Sequence, residues 1–223
     1  MRRRQKGDGT ETDGTETDGT ETDGGPGPEA GTEAGTEAPE QAPDRGPFDI
    51  DDIDPDAEYI DLGSMLLRPV DGLELRLQVD EASGAVSAVL LVAEEGLLEV
   101  RAFASSRGGD LWGDARREIA ADTARRGGTA TEQEGPFGAE LLCQVPVTGP
   151  DGEALVQPSR IIGHTGPRWF LRATVAGRPA VDADYAQRFE DAFAGVVVNR
   201  GVDAMPPGEA LPLRLPPEAS KID

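Results

Sequence analysis

The sequence has only one cysteine and one histidine, and this scarcity excludes several kinds of site. With Cys143 alone, no disulfide can form within the chain, and zinc sites built from several cysteines are excluded. Cys143 stands among Leu141, Leu142 and Val145, so we expect a buried thiol that packs as a small hydrophobic group. His164 lacks the several other ligands that usually complete a metal site. We predict no metal site and no cofactor.

The common motifs of nucleophilic catalysis and nucleotide binding are also missing. A serine–histidine–acid arrangement would have to use His164, but the chain contains no GxSxG sequence. A cysteine–histidine arrangement would need Cys143, which stands in an apolar stretch. No phosphate-binding P-loop is present, and no GxGxxG opens a helix after a strand. The sequence therefore predicts no catalytic residue and favours a protein that is not an enzyme.

No stretch approaches the roughly 18 consecutive apolar residues that a membrane-spanning helix needs. The opening residues, MRRRQKGDG, are basic like the start of a signal peptide, but no apolar run follows them. We therefore expect a cytoplasmic protein that does not bind membranes.

Basic residues are too few to balance the acidic ones, and the formal net charge is −22. Residues 1–58 carry 18 acidic and 5 basic side chains, so much of the charge lies at this end. A negative potential opposes binding to nucleic acids and anionic membranes, because both are polyanions. We expect neither as a partner.

Aromatic residues are absent before Phe48, and TETDG occurs three times in residues 10–24. Such a segment cannot offset its ordering entropy by burial, so residues 1–47 are predicted to be a disordered acidic tail. The tail either solvates the protein or serves as a phosphorylation platform, because acidic residues flank its threonines. Residues 48–58, FDIDDIDPDAE, are predicted to be an acidic arm that docks on the domain or on a partner.

Residues 59–201 carry the patterns of a single α+β domain. Alternating apolar and polar residues predict strands, and short loops between consecutive strands favour antiparallel pairs. The predicted strands are residues 59–70, 73–79, 85–93, 97–104, 129–134, 139–147, 155–163 and 168–175. A helix follows Asp110 and a second follows Asp182 or Asp184. We predict a curved, mainly antiparallel sheet of about seven or eight strands, covered by two amphipathic helices.

The stretch 166–201 has the clearest pattern. Its strand places four apolar residues on one face, and its helix carries apolar residues at spacings of four. The strand residues are Trp169, Leu171, Ala173 and Val175, and the helix residues are Tyr185, Phe189, Phe193 and Val197. Residues 202–223 are rich in proline and are predicted to be extended. They either lie on the domain through Leu211, Leu213 and Leu215 or form a docking motif for a partner.

Arginine close to tryptophan is the candidate ligand-binding feature, because guanidinium groups beside aromatic rings recognise carboxylates, phosphates and stacked rings. The candidate residues are Arg160, Arg168, Arg172, Trp112, Trp169 and His164. The alternative is that the arginines pair with acids on neighbouring strands while the tryptophans fill the core. His164 then serves as an ordinary loop or hydrogen-bonding residue.

Five separate motifs carry a family resemblance. They are LWGDARREI at residues 111–119, GPFGAELL at 135–142, GPRWFLR at 166–172, VVVNRG at 196–201 and MPPGEALPLRLP at 205–216. Together they resemble the actinobacterial proteins grouped as domain of unknown function 3710 (DUF3710). The resemblance implies a soluble cytoplasmic protein and no defined activity, so no functional residue is carried over. The order of the elements is also similar to the Mog1/PsbP-type sandwich, whose members are mostly binders, assembly factors and adaptors.

Two function hypotheses follow. The first is a non-enzymatic protein-interaction or assembly module, which the missing catalytic motifs, the acidic tail and the proline-rich segment favour. The second is a small-molecule or anion-binding domain, with weak hydrolysis left open, that uses the arginine and tryptophan side chains. The sequence determines neither the partner nor the oligomeric state.

Overall fold

The computed structural model describes residues 45–54 and 57–216 of the chain. The chain divides into two units, Met1–Glu40 and Gln41–Asp223, and all the described residues lie in the second unit. The predicted disorder of the tail therefore concerns residues that lie almost wholly outside the described ones. The same is true of the proposed phosphorylation of its threonines.

A seven-stranded antiparallel sheet forms the centre of the fold, in the order β4-β5-β6-β10-β9-β8-β7. Its strands are β4 (Glu74–Val79), β5 (Val86–Ala93), β6 (Gly96–Ala104), β7 (Thr129–Gly135), β8 (Gly138–Thr148), β9 (Ala154–Thr165) and β10 (Trp169–Gly177). Two meanders, β4 to β6 and β7 to β10, meet where β10 pairs with β6. Short turns join the consecutive strands within each meander and explain why those pairs are antiparallel, and the non-consecutive pair of β6 with β10 is antiparallel as well.

Helices α1 (Leu111–Arg125) and α2 (Ala183–Ala194) cover opposite faces of this sheet. Phe170 of β10 packs with Trp112 of α1, whereas its neighbour Leu171 belongs to the same cluster as Phe189 of α2. Successive strand residues point to opposite faces, so one strand serves both layers. The fold is thus α+β with two helices and mainly antiparallel sheets, as the sequence predicts.

Both helices begin at the aspartates that the sequence indicates. The carboxylate of Asp110 accepts a hydrogen bond from the Gly113 N–H at 2.8 Å, and that of Asp182 accepts one from the Asp184 N–H at 3.2 Å. These bonds satisfy donors that the first turn of a helix leaves unpaired. Neither helix is long and apolar enough to cross a membrane.

A second, smaller sheet has the order β1-β11-β3-β2. Its strands are β1 (Phe48–Asp49), β2 (Ile60–Asp61), β3 (Met65–Leu67) and β11 (Val197–Val198), and β1 runs parallel to β11. Part of the predicted acidic arm therefore pairs with the end of the domain. The single strand predicted over residues 59–70 is divided here, because a turn at Gly63, with φ +89°, separates β2 from β3.

The prediction that the last helix continues through Val197 is wrong. Helix α2 ends at Ala194, where the N–H of Gly195 bonds to the Asp191 carbonyl at 3.0 Å. Val197 and Val198 pair with β3 instead. A run of β-branched valines after a glycine favours extended backbone over helix, and the neighbouring strand supplies the hydrogen bonds.

Candidate functional site: the arginine cleft

Both tryptophans lie in the core, on opposite faces of the large sheet. Trp169 is 1% exposed, and its indole N–H donates to Oδ2 of Asp49 at 2.6 Å. Trp112 donates to the Ala139 carbonyl at 2.8 Å, and its ring stacks on Phe170 with the ring centres 5.8 Å apart. Since protein acceptors occupy both indole N–H groups, the tryptophans contribute to packing and to positioning Asp49.

Arg160 is buried between β9 and helix α2. Its Nη2 lies 2.5 Å from Oε1 of Glu190, and its Nη1 lies 3.8 Å from Oε1 of Glu140. Glu140 also accepts a hydrogen bond from Nε2 of Gln133 at 2.8 Å. Arg160 therefore serves an internal ion pair that joins α2 to the sheet.

Arg172 lies on the other face, the one that α1 covers. Its guanidinium stands over the ring of Phe103, with Cζ 5.4 Å from the ring centre. Burial lowers the pKa of Arg172, and the positive charge of Arg101 on the adjacent strand lowers it further. Glu99 and Glu118 oppose this effect on the pKa. Arg172 remains charged, and both positive and negative side chains act on it on this face of the sheet.

The lone imidazole and the lone thiol are also on opposite faces. His164 lies against the Trp169 ring, with centres 5.8 Å apart, and burial lowers the pKa of the imidazole. Cys143 lies beneath α1, accepts a contact from Oγ1 of Thr123 at 3.8 Å, and has its pKa raised by burial. Within the described residues, no three His, Cys, Asp or Glu side chains gather in a group that could hold a metal ion.

The pKa of His164 predicts how stability depends on pH. Because burial disfavours the charged imidazole, its pKa in the folded state lies below the usual histidine value of about 6.5, and the unfolded chain binds more protons near that pH. Stability from this residue is full above pH 6.5 and decreases as the pH falls below it. We expect urea denaturation to show a lower free energy of unfolding at pH 5.5 than at pH 7.5. His164→Gln should flatten this dependence, and an unchanged pH slope in the variant would contradict it.

The six predicted ligand-binding residues therefore do not converge on one site. His164 and Trp169 are in contact, but Arg160 and Arg172 lie on different faces of the sheet. Arg168, in the turn between β9 and β10, borders an open cleft. Ligand binding through the other five residues remains a prediction.

The cleft beside Arg168 has a volume of about 530 Å³ and lies where several chain segments meet. Arg107 comes from the loop after β6, Arg168 from the turn before β10, and Arg200 from the residues that follow β11. We call this site the arginine cleft. Asp49, Asp51 and Asp52 also line it.

The aspartates of the cleft are engaged by their own turn and by the core. Asp49 accepts the Asp51 N–H through Oδ1 at 3.1 Å and the Trp169 indole through Oδ2, while Asp52 accepts the Asp49 N–H at 3.4 Å. These bonds cap the short 3-10 turn Ile50–Asp52. Two of these carboxylates are thus held by groups other than the neighbouring arginines.

The arginines of the cleft keep unused donors. Arg168 donates to the Gly201 carbonyl at 3.1 Å, and Nη1 of Arg200 donates to the Asp203 carbonyl at 3.0 Å. The Nε of Arg200 is buried and has no partner among the described residues. In residues 45–54 and 57–216, no ion pair joins Arg107, Arg168 or Arg200 to an acid. The cleft can therefore donate several hydrogen bonds to an anion.

Sequence reasoning missed Arg107 and Arg200. Arg107 precedes two glycines and is typical of a linker, and Arg200 follows a predicted helix, where a cation is common. Both residues stand at the ends of elements, which is the only local signal that they carry. The pairing of β6 with β10, and of β1 with β11, brings them close to Arg168.

One comparison with known proteins gives a match. The sequence model of the family described as "Protein of unknown function (DUF3710)" matches residues 46–221, which is well over half of the chain. No curated protein matches the sequence. The family match covers the whole described fold and agrees with the five motifs quoted above. The chain therefore belongs to the DUF3710 family.

Proposed function

We propose that the protein is a non-enzymatic interaction module that binds an acidic segment of a partner protein in the arginine cleft. The observation that carries this proposal is the set of guanidinium donors that no acid among the described residues neutralises. Guanidinium groups present planar pairs of donors that match carboxylate oxygens. The predicted cytoplasmic location forms part of the proposal.

Binding suits this site better than catalysis. Its polar side chains are arginine, asparagine and aspartate, whereas Cys143 and His164 lie elsewhere and on opposite faces of the sheet. Arginines without an adjacent nucleophile or base can hold and orient an anion, but they do not supply an acid–base pair. The geometry therefore favours a binding function.

The charge of the cleft also favours a protein partner over a nucleic acid. Asp49, Asp51 and Asp52 lie beside the arginines and would repel the regularly spaced phosphates of a polyanion. A peptide can place one or two carboxylates at the arginines and neutral or basic residues near the aspartates. Such a match gives specificity more than raw affinity.

A small anion is the second candidate ligand, and two observations favour it. The volume of about 530 Å³ lies within the range of small-molecule sites, roughly 300–1,000 Å³. The exposed guanidinium groups of Arg107 and Arg168 could donate hydrogen bonds to a bound carboxylate or phosphate. This ligand would use the same arginines without a partner protein.

Charge reversal of two exposed arginines tests the protein-partner proposal. We expect the tagged full chain to retain a specific partner in affinity purification from its native host, and Arg107→Glu/Arg168→Glu to lose it. Arg117→Glu is the matched control, because Arg117 is equally exposed but pairs with Asp114 on α1. A synthetic peptide of the partner's acidic segment should then bind, and its amide analogue should bind at least tenfold more weakly.

Equal retention by all three proteins, or no reproducible partner, would contradict the protein-partner proposal. The small-anion candidate is tested separately by calorimetric titration with phosphate and with citrate at low salt. If the ligand is a small anion, phosphate or citrate should bind to the wild-type chain and to Arg117→Glu. Neither anion should bind to Arg107→Glu/Arg168→Glu. Absence of heat with the wild-type chain would exclude these two anions.

A further inference from the structure

Strands β5 and β6 separate part of the way along the large sheet. The two strands pair from the hairpin turn, at Ala93 and Gly96, as far as Val89 and Val100. The ladder ends at Val89 and Val100. The remaining length of β6 therefore has backbone donors and acceptors on the side that faces β5. Unpaired groups of this kind offer a template for another extended chain.

Residues 208–214 fill this gap. The Gly208 N–H donates to the Ala104 carbonyl at 2.8 Å, the Ala104 N–H donates to the Glu209 carbonyl at 2.8 Å, and the Leu211 N–H donates to the Ala102 carbonyl at 2.9 Å. Single bridges join Leu213 to Val86 of β5 and to Gly63. The segment thus lies between the two separated strands and bonds to both.

Side chains of the segment alternate between core and solvent. Leu211 is 4% exposed and belongs to the main hydrophobic cluster, and Leu213 packs against that cluster. Leu215, by contrast, is 55% exposed. The prediction that these leucines lie across the domain therefore holds for the first two. Burial removes the apolar side chain of Leu211 from water, so the groove has one strong anchor position.

The connection that carries the segment is long and solvent-exposed. Residues 199–207 join it to β11, and Val202 at its centre is 92% exposed. Met205 packs against the main hydrophobic cluster, and residues 206–209 form a turn in which the Glu209 N–H donates to the Pro206 carbonyl at 3.2 Å. Leu211, Leu213 and a few backbone bonds hold the segment, including the bond from the Arg214 N–H to the Leu62 carbonyl at 2.8 Å. Because the segment follows β11 in the chain, an identical segment could replace it while the strand ladders stay in place.

We propose that the groove between β5 and β6 accepts residues 208–214 of a second copy of this chain. The groove fits this sequence because it already holds it, and exchange between two identical chains preserves every contact. Addition of an extended strand to open backbone groups is an established way to bind a peptide. Each chain's own segment competes with the second copy for the groove, and its effective concentration there is high. Exchange between copies is therefore expected at high protein concentration.

Cleavage of the connection tests the groove itself. A protease recognition sequence is inserted between Val202 and Asp203 of the full chain, and a labelled peptide of residues 206–216 is added before and after cutting. We expect the peptide to bind the cut chain at least tenfold more tightly than the uncut chain. The same peptide with Leu211→Asp should not bind, because a carboxylate cannot enter the apolar anchor site.

Failure of the peptide to bind the cut chain, or equal binding of the aspartate peptide, would overturn the proposal. Loss of the native tryptophan fluorescence on cutting would also overturn it, because the segment would then be a permanent part of the core.

A mixing experiment tests the second copy. The full wild-type chain is prepared under two different tags, the two preparations are mixed at high concentration, and the mixture is purified through both tags in turn. We expect a mixed dimer, in which each chain's residues 208–214 occupy the groove of the other chain. Leu211→Asp alone should remain monomeric in light scattering. Strand exchange between copies would be overturned if no mixed dimer is recovered. It would also be overturned if the Leu211→Asp chain under both tags gives as much mixed dimer as the wild-type chain.

Discussion

Arg160→Met is expected to lower the free energy of unfolding by about 3–5 kcal/mol, because it leaves buried carboxylates without their cation. The guanidinium lies 2.5 Å from Glu190 and 3.8 Å from Glu140. Glu140 is 1% exposed, and its Oε2 has no partner among the described residues. Methionine preserves much of the side-chain volume, so the loss reports charge and not a cavity.

Urea denaturation of the wild-type chain and of Arg160→Met measures the effect. The double variant Arg160→Met/Glu190→Leu should recover part of the loss, because it removes one of the two orphaned carboxylates. The matched control is Arg76→Met, whose ion pair with Glu74 is exposed to solvent and is therefore expected to contribute little to stability. Equal stability of Arg160→Met and Arg76→Met would contradict the prediction.

Trp169→Ala is expected to cost about 3–5 kcal/mol, because Trp169 is among the largest fully buried side chains of the main cluster. Its indole also bonds to Asp49, 120 residues earlier in the chain. The substitution therefore has two effects: it creates a cavity, and it removes the indole donor from the Asp49 carboxylate. Thermal and urea unfolding of the variant measure the sum of both effects.

Trp169→Phe separates the hydrogen bond from the cavity. It removes the indole N–H and keeps an aromatic ring, so we expect a cost of about 1.5–3 kcal/mol from the lost bond to a charged group, plus a smaller packing loss. Asp49→Ala, which leaves no acceptor for the indole N–H, on the wild-type and Trp169→Phe backgrounds completes a double-mutant cycle. A coupling energy near zero would show that the bond to Asp49 does not stabilise the fold.

The same bond connects the core to the arginine cleft. Since Trp169 and the turn of Asp49 occupy the carboxylate, Asp49 does not pair with the neighbouring arginines. Trp169→Phe frees Oδ2, which can then compete for those guanidinium groups. Weaker anion binding by this variant would therefore indicate that the core controls how available the arginines are.

Most of the fold follows from spacings within single segments. The apolar alternation of residues 169–175 predicts which side chains of β10 share a face, and Trp169 and Leu171 lie in one cluster. The caps at Asp110 and Asp182 are likewise local, since each bonds within three residues. The end of α2 was not predictable in this way, because Val197 fits the helical spacing and its strand partner lies in β3.

The candidate site could not be derived from such patterns. Arg107, Arg168 and Arg200 belong to three loops. The sequence indicates Arg168 as a candidate at the start of a strand, but Arg107 is typical of a linker and Arg200 of a helix end. The role of Arg160 was open for the same reason: its partner Glu190 lies 30 residues away on a helix. Sequence alone could place arginine near the last strands but could not say which arginines meet.

The sequence by itself determined the class of the fold, the positions of most strands and both helix starts, and the absence of familiar catalytic motifs. The tertiary structure decided which face each helix covers, how residues 208–214 return to β6, and where unpaired arginines meet. The physical reason is that periodicity and capping depend on neighbours along the chain. Packing and charge pairing between distant segments depend on the free energy of the whole fold.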